Sequence, residues 1–271
     1  MNTISQELPH FICIGAQRAG TTWLHNCLDE HPEVYVPASK ELHFFDRFYS
    51  DGLESYQAHF APELRGDAKV WGEITPNYYQ EPNALERIKQ DIPNCKIIYI
   101  LREPVARAFS QYQLYSPTEF AGKTFEDVMA ESEFVTDLSM QGKHLQKLLS
   151  LFSRQNVLIL LYDDLAAEPE KLLRKVFKFL EVSEDFLPET IDKRINRIVL
   201  PDLQNRLAKM KLSWIVELVK ASPFSEFIKE IAHKKTDKTG ATLELDRYAE
   251  IFKSDIDLIE KTLDIDLKHW R

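Results

Sequence analysis

The stretch Gly15-Ala16-Gln17-Arg18-Ala19-Gly20-Thr21-Thr22 lies between a short apolar run and a helical pattern. Two glycines five apart at such a junction suit an anion cradle. They let backbone N–H groups curl around the anion, and the helix that follows points its positive end at it. The nucleotide-hydrolase pattern G-x-x-x-x-G-K-[ST] requires a lysine for the β- and γ-phosphates. Thr21 stands in that place, and the nearest cation is Arg18, inside the loop. This counts against a conventional ATPase. The chain has only 8 glycines in 271 residues, so two of them at this spacing point to an anion cradle over a plain strand–turn–helix corner.

Other residues sit where charge is useful. Arg102 directly follows Ile97-Ile98-Tyr99-Ile100-Leu101, the most apolar run in the chain. Its planar fork would meet a phosphate that backbone amides neutralise only in part, and Ser110, on the helix that follows, would add a hydroxyl. Pairing with Glu103, or capping the sheet edge, is the plainer alternative. Glu41 follows Val34–Val36 and a turn at Pro37, beyond the C-terminal end of a strand, where open α/β sheets bind ligands. A carboxylate there can take the proton of an attacking oxygen or nitrogen, worth roughly 10²–10⁴-fold in rate. The alternative is an inconsequential surface pair of Lys40 and Glu41. His43 is either a second polar group over the acceptor or a ring packed on Phe44 and Phe45. Glu73 is either an acceptor-facing carboxylate or the partner of a base such as Arg102. Arg107 is read as a member of a structural ion pair.

These positions need a scaffold, and the hydrophobic pattern supplies one. Apolar runs at 11–14, 34–36, 69–74, 96–101 and 157–162 alternate with amphipathic stretches. Residues 97–101 and 157–161 are continuously apolar, as in strands covered on both faces. Helical stripes occupy 22–30, 144–152 and 171–180. Strands separated by helices predict βαβ units, hence an α/β fold around a mainly parallel sheet. Beyond about residue 190 only helical spacing remains, through Leu203, Leu207, Met210 and Trp214, then over 224–232. A polar loop with Lys234, Lys235 and Lys238 follows, and residues 247–271 are read as a helix ending on Trp270. The simplest organisation is one domain over 1–271, with 190–245 covering an acceptor cleft.

Composition excludes several classes. Lys+Arg 34 against Asp+Glu 43 gives −9, which argues against a general nucleic-acid binder. A 44% hydrophobic and 28% charged chain is neither disordered nor fibrous. No apolar run approaches the roughly 18 residues of a membrane span, and no secretory signal is evident, so a cytoplasmic enzyme is expected. Cys13, Cys27 and Cys95 read as buried free thiols of a reducing compartment.

The loop GAQRAGTTWL resembles the 5′-phosphosulfate-binding loop of sulfotransferases that use 3′-phosphoadenosine 5′-phosphosulfate (PAPS), with Arg18 where the common form has lysine. Lys40-Glu41-Leu42-His43-Phe44-Phe45 is similar to the KExHFF segment of heparan-type carbohydrate sulfotransferases and their bacterial relatives. Gly72-Glu73-Ile74-Thr75-Pro76-Asn77-Tyr78 resembles their GExTPxY segment, with Ile74 where heparan-type members often carry lysine. The segment from Leu101 to Ser110 resembles the LRDPxxRAxS segment that binds the 3′-phosphate. The stretch 157–165 followed by Glu168-Pro169, and Leu267-Lys268-His269-Trp270, also match, whereas Gln141-Gly142-Lys143-His144 departs from the family's RGxY.

The resemblance implies a P-loop-like three-layer fold and sulfuryl transfer from PAPS to a hydroxyl or amine of a small-molecule, sugar or lipid acceptor. No metal is required. It makes Glu41 the general base, Arg18 the occupant of the catalytic lysine position and His43 a further catalytic group. Gln17, Arg18, Ala19, Gly20, Thr21, Thr22, Trp23, Arg102 and Ser110 become the residues that bind PAPS and its product 3′-phosphoadenosine 5′-phosphate (PAP). The basic loop at 233–243 is by default a solvated charge run, with a cover over the nucleotide's 3′ end as the alternative. Arginine does not give up a proton at neutral pH, so Arg18 can supply charge but not an acid. A small-molecule kinase on a P-loop-like fold and a non-catalytic PAP binder are the alternatives.

Overall fold

The computed structural model describes residues 8–191 and 245–271. Five strands form one parallel sheet in the order β2-β3-β1-β4-β5: β1 Phe11–Gly15, β2 Val34–Tyr35, β3 Val70–Ile74, β4 Lys96–Leu101 and β5 Val157–Leu161. Every predicted strand is present. All of β1, and β4 from Ile97 onward, is buried. Side chains alternate between the faces of a strand, so the sheet is covered on both sides. β5 departs from its predicted double cover. It is the edge strand, and Leu158, Ile159 and Leu161 are only partly buried.

The helices are α1 Thr21–Asp29, α2 Leu53–Gln57, α3 Pro62–Arg65, α4 Ala84–Asp91, α5 Pro104–Tyr115, α6 Phe125–Glu131, α7 Glu133–Ser139, α8 Gln141–Leu151, α9 Tyr162–Ala167, α10 Pro169–Leu180 and α11 Ala249–Leu263. The predicted stripe of α10 is real: Leu172, Leu173, Val176, Phe177 and Leu180 are all buried. Each such side chain contributes roughly 1.5–3 kcal/mol. The predicted helix over 247–271 is shorter. It ends at Leu263, because Asp264 takes a left-handed conformation (φ 56°), and Lys268–Trp270 is a separate short turn. The readings of 190–245 as acceptor-covering helices and of the Lys234 loop fall almost wholly on 192–244, outside the described residues.

The strand order decides where a ligand goes. From β1 the chain runs out past β3 to β2, whereas from β3 it crosses β1 to reach β4. Connections leaving the C-terminal ends of β1 and β4 therefore diverge, and a crevice opens between them. The glycine loop leaves β1 there, and Arg102 leaves β4.

Candidate active site

The loop after β1 is shaped by its two glycines. Gly20 has φ 90° and caps α1, and a Cβ on it would come within 2.7 Å of Leu165. Gly15, at φ 149°, would bring a Cβ within 2.6 Å of the Tyr79 ring. The Ala16 N–H is tied to the Ile100 carbonyl of β4 at 2.9 Å, so the loop starts from a fixed strand pair. α1 opens on Thr21 and Thr22, leaving first-turn N–H groups free to meet an anion.

Three guanidinium groups gather beside this loop, and none of them forms a salt bridge to a carboxylate among the described residues. Arg18 Nε donates to Ser110 Oγ at 3.0 Å. An Arg102 Nη donates to the Arg18 carbonyl at 2.5 Å, and its guanidinium lies 4.5 Å over the Tyr162 ring. Arg102 Nε is buried and has no hydrogen-bond partner among the described residues. The backbone of Arg102 is held from both sides by Gln141, whose Oε1 accepts from its N–H at 3.0 Å and whose Nε2 donates to its carbonyl at 2.6 Å. Burial, then the neighbouring Arg102 and Arg107 charges, push the Arg18 pKa down. Burial does the same to Arg102. Clustered cations without a counterion are costly unless an anion joins them. The chemistry of the donor set therefore fits a nucleotide with more than one phosphate group: loop amides for one, and Arg102 with Ser110 for another.

Two expected pairings are corrected here, those of Glu103 and Arg107. Glu103 does not pair with Arg102; its carboxylate caps α5 by accepting from the Val105 and Ala106 N–H groups. Arg107 is structural but not in an ion pair. It is fully buried, and donates to Ser139 Oγ at 2.8 Å, the Val135 carbonyl at 3.2 Å and Gln111 at 3.4 Å. Trp23 is buried and its indole N–H donates to the Ile191 carbonyl at 2.9 Å. Ala19 is buried, and the Gln17 side chain is bonded to Asn77 and Gln111.

The second half of the site is the loop after β2. His25 of α1 bonds the Pro37 carbonyl at 3.1 Å, fixing where this loop starts. Thr75, at the end of β3, fixes where it ends, by accepting from the Leu42 and His43 N–H groups at 3.1 and 3.4 Å. Between these anchors Lys40 Nζ lies 3.3 Å from Glu41 Oε1 and 3.5 Å from Thr22 Oγ1. The Lys40–Glu41 pair thus exists, but it is the bridge from the donor loop to the carboxylate rather than a surface ornament. His43 does not merely pack on its phenylalanine neighbours. Its Nε2 lies 3.2 Å from Glu41 Oε2, and its Nδ1 lies 2.8 Å from Oδ2 of the buried Asp46. Asp46 on Nδ1 thus orients the ring, and Nε2 faces Glu41. A cavity of about 320 Å³ opens beside Glu41, lined also by Phe44, Phe48, Asp51, Ser55 and His59.

Glu73 neither faces an acceptor nor pairs with Arg102. It is buried, and accepts from Tyr56 and Thr75 hydroxyls at 2.6 Å and from Tyr78 at 3.0 Å. Burial, partly offset by those hydroxyls, raises its pKa to about 7. Through Thr75 it holds the backbone of the Glu41–His43 loop, so it is a positioning residue. Sequence reasoning missed Asp46 and the bridge by Lys40. Asp46 had a signal, standing three residues after His43 in a helical turn over Phe44–Phe48. Gln141 and Tyr162 as supports of Arg102 had none. Among the described residues no group of three or more His, Cys, Asp or Glu is set to hold a metal ion.

The comparisons decide the family. A model described as sulfotransferase domain matches residues 8–238. The chain belongs to the sulfotransferase family. Among curated relatives, it is 34% identical over 145 residues to the membrane-associated sulfotransferase kil1 of Dictyostelium discoideum, covering 50% of this chain and 30% of that protein. It is 33% identical over 185 residues to the mouse heparan sulfate glucosamine 3-O-sulfotransferase 3B1, covering 65% and 47%. The chain thus spans less than half the length of either. A crystal structure of a sulfotransferase from Alicyclobacillus acidocaldarius superposes with a TM-score of 0.70 at 23% identity, over 97% of this chain and 99% of that one. That likeness bears out the fold of a parallel sheet flanked by helices. Membership sets the kinase alternative aside.

Proposed function

We propose that this sulfotransferase moves the sulfuryl group of PAPS to a hydroxyl of a sugar or other small acceptor, with Glu41 as general base. The single observation that carries the reading is the bridge by Lys40, which places a carboxylate next to the cationic loop. Relatives named for sulfating a glucosamine hydroxyl support a sugar acceptor.

When bound, PAPS supplies a sulfuryl group already linked to a phosphate leaving group. The loop amides, Thr21, Thr22 and the Arg18 guanidinium orient that phosphate and stabilise the charge it gains as the bond to sulfur breaks. Arg102 and Ser110 hold the 3′-phosphate, and Gln141 and Tyr162 keep Arg102 in place. From the other side Glu41 accepts the acceptor's proton as its oxygen attacks sulfur in line. His43 shares that proton, and Asp46 keeps the ring turned so that Nε2 faces Glu41. The cavity beside Glu41 offers Phe48, half exposed, as an apolar face for the acceptor, and Asp51 and Ser55 for its hydroxyls. The three cysteines are buried and free, which supports a cytoplasmic enzyme.

Thermal unfolding with added PAP tests the donor half. A ligand at 100 times its Kd stabilises by about 2.7 kcal/mol, so millimolar PAP is expected to raise the midpoint by several degrees. No rise with PAP, together with a rise with ATP and magnesium, overturns the reading. Transfer of labelled sulfate from PAPS to heparan sulfate and to an uncharged glycoside then tests the acceptor half.

A further inference from the structure

We infer that Lys40 is the general acid of the reaction, delivering a proton to the leaving phosphate and recovering one from Glu41. The inference rests on the sulfotransferase reading above and adds a catalytic residue to it. Two departures create the need. Arg18 stands where the donor loop commonly has a lysine, and Ile74 stands where heparan-type relatives often have another. Arg18 keeps a positive charge on the loop but holds its proton at neutral pH. The leaving phosphate still gains a charge as the sulfur–oxygen bond breaks, and an ammonium can neutralise it by proton transfer.

Lys40 is built for this. Its Nζ reaches Thr22 Oγ1, in the first turn of α1, at 3.5 Å and Glu41 Oε1 at 3.3 Å. Both side chains are largely shielded, 14% and 27% exposed, so the pair is not a loose surface contact. Its backbone has little freedom, because the loop is anchored at Pro37 by His25 and at Leu42 and His43 by Thr75. Lys40 Nζ therefore stands between the loop that receives the donor phosphate and the carboxylate that receives the acceptor proton.

The balance closes without a further reactant. The acceptor oxygen bonds to sulfur while its proton goes to Glu41. The bond between sulfur and the bridging oxygen breaks, and that oxygen takes a proton from Lys40. Glu41, now a carboxylic acid, returns a proton to the neutral amine across the 3.3 Å contact. The products are the sulfate ester and PAP carrying the transferred proton, and both side chains return to their starting state.

The test compares the full chain with Lys40→Arg, Lys40→Met and Glu41→Gln. PAP formation from PAPS is followed with heparan sulfate as acceptor and, separately, with water alone. PAP-induced stabilisation is measured on each protein. Lys40→Arg preserves the charge and removes the acid, so it separates proton donation from electrostatics. PAP is expected to stabilise both Lys40 variants about as well as the unmodified chain, while turnover falls about 100-fold or more in each. The unmodified enzyme is expected to lose rate on the alkaline side of its pH profile, and Lys40→Arg to lack that limb. A rate for Lys40→Arg within about threefold of the unmodified enzyme overturns the inference, since charge would then suffice. Loss of PAP-induced stabilisation in both variants also overturns it, by making Lys40 a binding residue. If the unmodified chain is not stabilised by PAP, or binds PAP without forming it from PAPS in either assay, the sulfotransferase reading itself fails, and this inference with it.

Discussion

The two loops that meet at the crevice are opposites. The loop after β1 collects cations without carboxylates: among the described residues Arg18, Arg102 and Arg107 hydrogen-bond only to hydroxyl, amide and carbonyl oxygens. The loop after β2 collects carboxylates, with Glu41 and Asp46 flanking His43, and Glu73 buried beneath them. One half can hold an anion and the other a proton. A single sheet edge thus provides what group transfer between two oxygens requires, stabilisation of the leaving charge on one side and removal of a proton on the other. Lys40 touches both halves, reaching Thr22 on one side and Glu41 on the other.

Substitutions that strike one half alone should separate the two functions. Glu41→Gln has the largest expected effect: PAP binding is retained, and sulfuryl transfer falls about 10²–10⁴-fold, as read by PAP formation from PAPS. Transfer at an unchanged rate would remove Glu41 as base.

The next effect is on stability. Glu73 carries a pKa of about 7 in the fold against an ordinary 4.5. The folded state thus favours the protonated acid, and this stability is present below pH 4.5 and lost as pH rises through about 7. The loss is on the order of 2–3 kcal/mol. His144 works the other way. Burial, with the charge of Lys143, lowers its pKa from 6.5 to about 4, so its contribution is present above pH 6.5 and is lost as pH falls through 4. The two overlap, and the whole-protein curve is their sum. Denaturant unfolding of the unmodified chain and Glu73→Gln across pH 4–8 isolates the carboxyl: the stability of the unmodified chain relative to the variant should fall as pH rises from 4.5 to about 7, and a flat difference would refute the assignment.

Arg102→Ala acts on the other half. Losing charge-assisted bonds worth about 1.5–3 kcal/mol should weaken PAP binding roughly 10- to 100-fold by calorimetry. Loss of its contact to the Arg18 carbonyl makes some loop loosening part of that figure. Asp46→Asn is the mildest. It removes the charge that fixes the His43 ring, and should lower turnover about tenfold with PAP binding unchanged. A larger fall in binding than in turnover would place Asp46 in the donor half instead.

Much of this arrangement was legible in the sequence, for a physical reason. Parallel strands buried on both faces read as apolar runs, so all five strands and the α1 and α10 stripes stand out. The glycine loop and Arg102 follow from strand ends. The edge position of β5 was not legible, because an apolar run does not reveal how many neighbours it has. Nor were α2, α3, α6 and α7, short elements whose position is set by tertiary packing. Arg18, Glu41, Arg102 and Ser110 were expected from position and resemblance, and the structure places them around one crevice. The partners of Glu73 were missed because Tyr56, Thr75 and Tyr78 converge from separate segments. Arg107 was misread as ion-paired because charge suggests a carboxylate, whereas a buried guanidinium is equally satisfied by neutral oxygens.

The residues from 249 onward touch the nucleotide corner only at second hand. The Asp255 carboxylate on α11 accepts from the Gly142 and Lys143 N–H groups, beside the Gln141 that grips Arg102. The Trp270 indole donates to Asp163, the neighbour of the Tyr162 ring under Arg102. Both supports of a cation at position 102 are thus braced by residues made more than 150 positions later. In chain order β1 to β5 precede this brace, so the nucleotide corner is completed by α11 and the Trp270 turn rather than by the sheet.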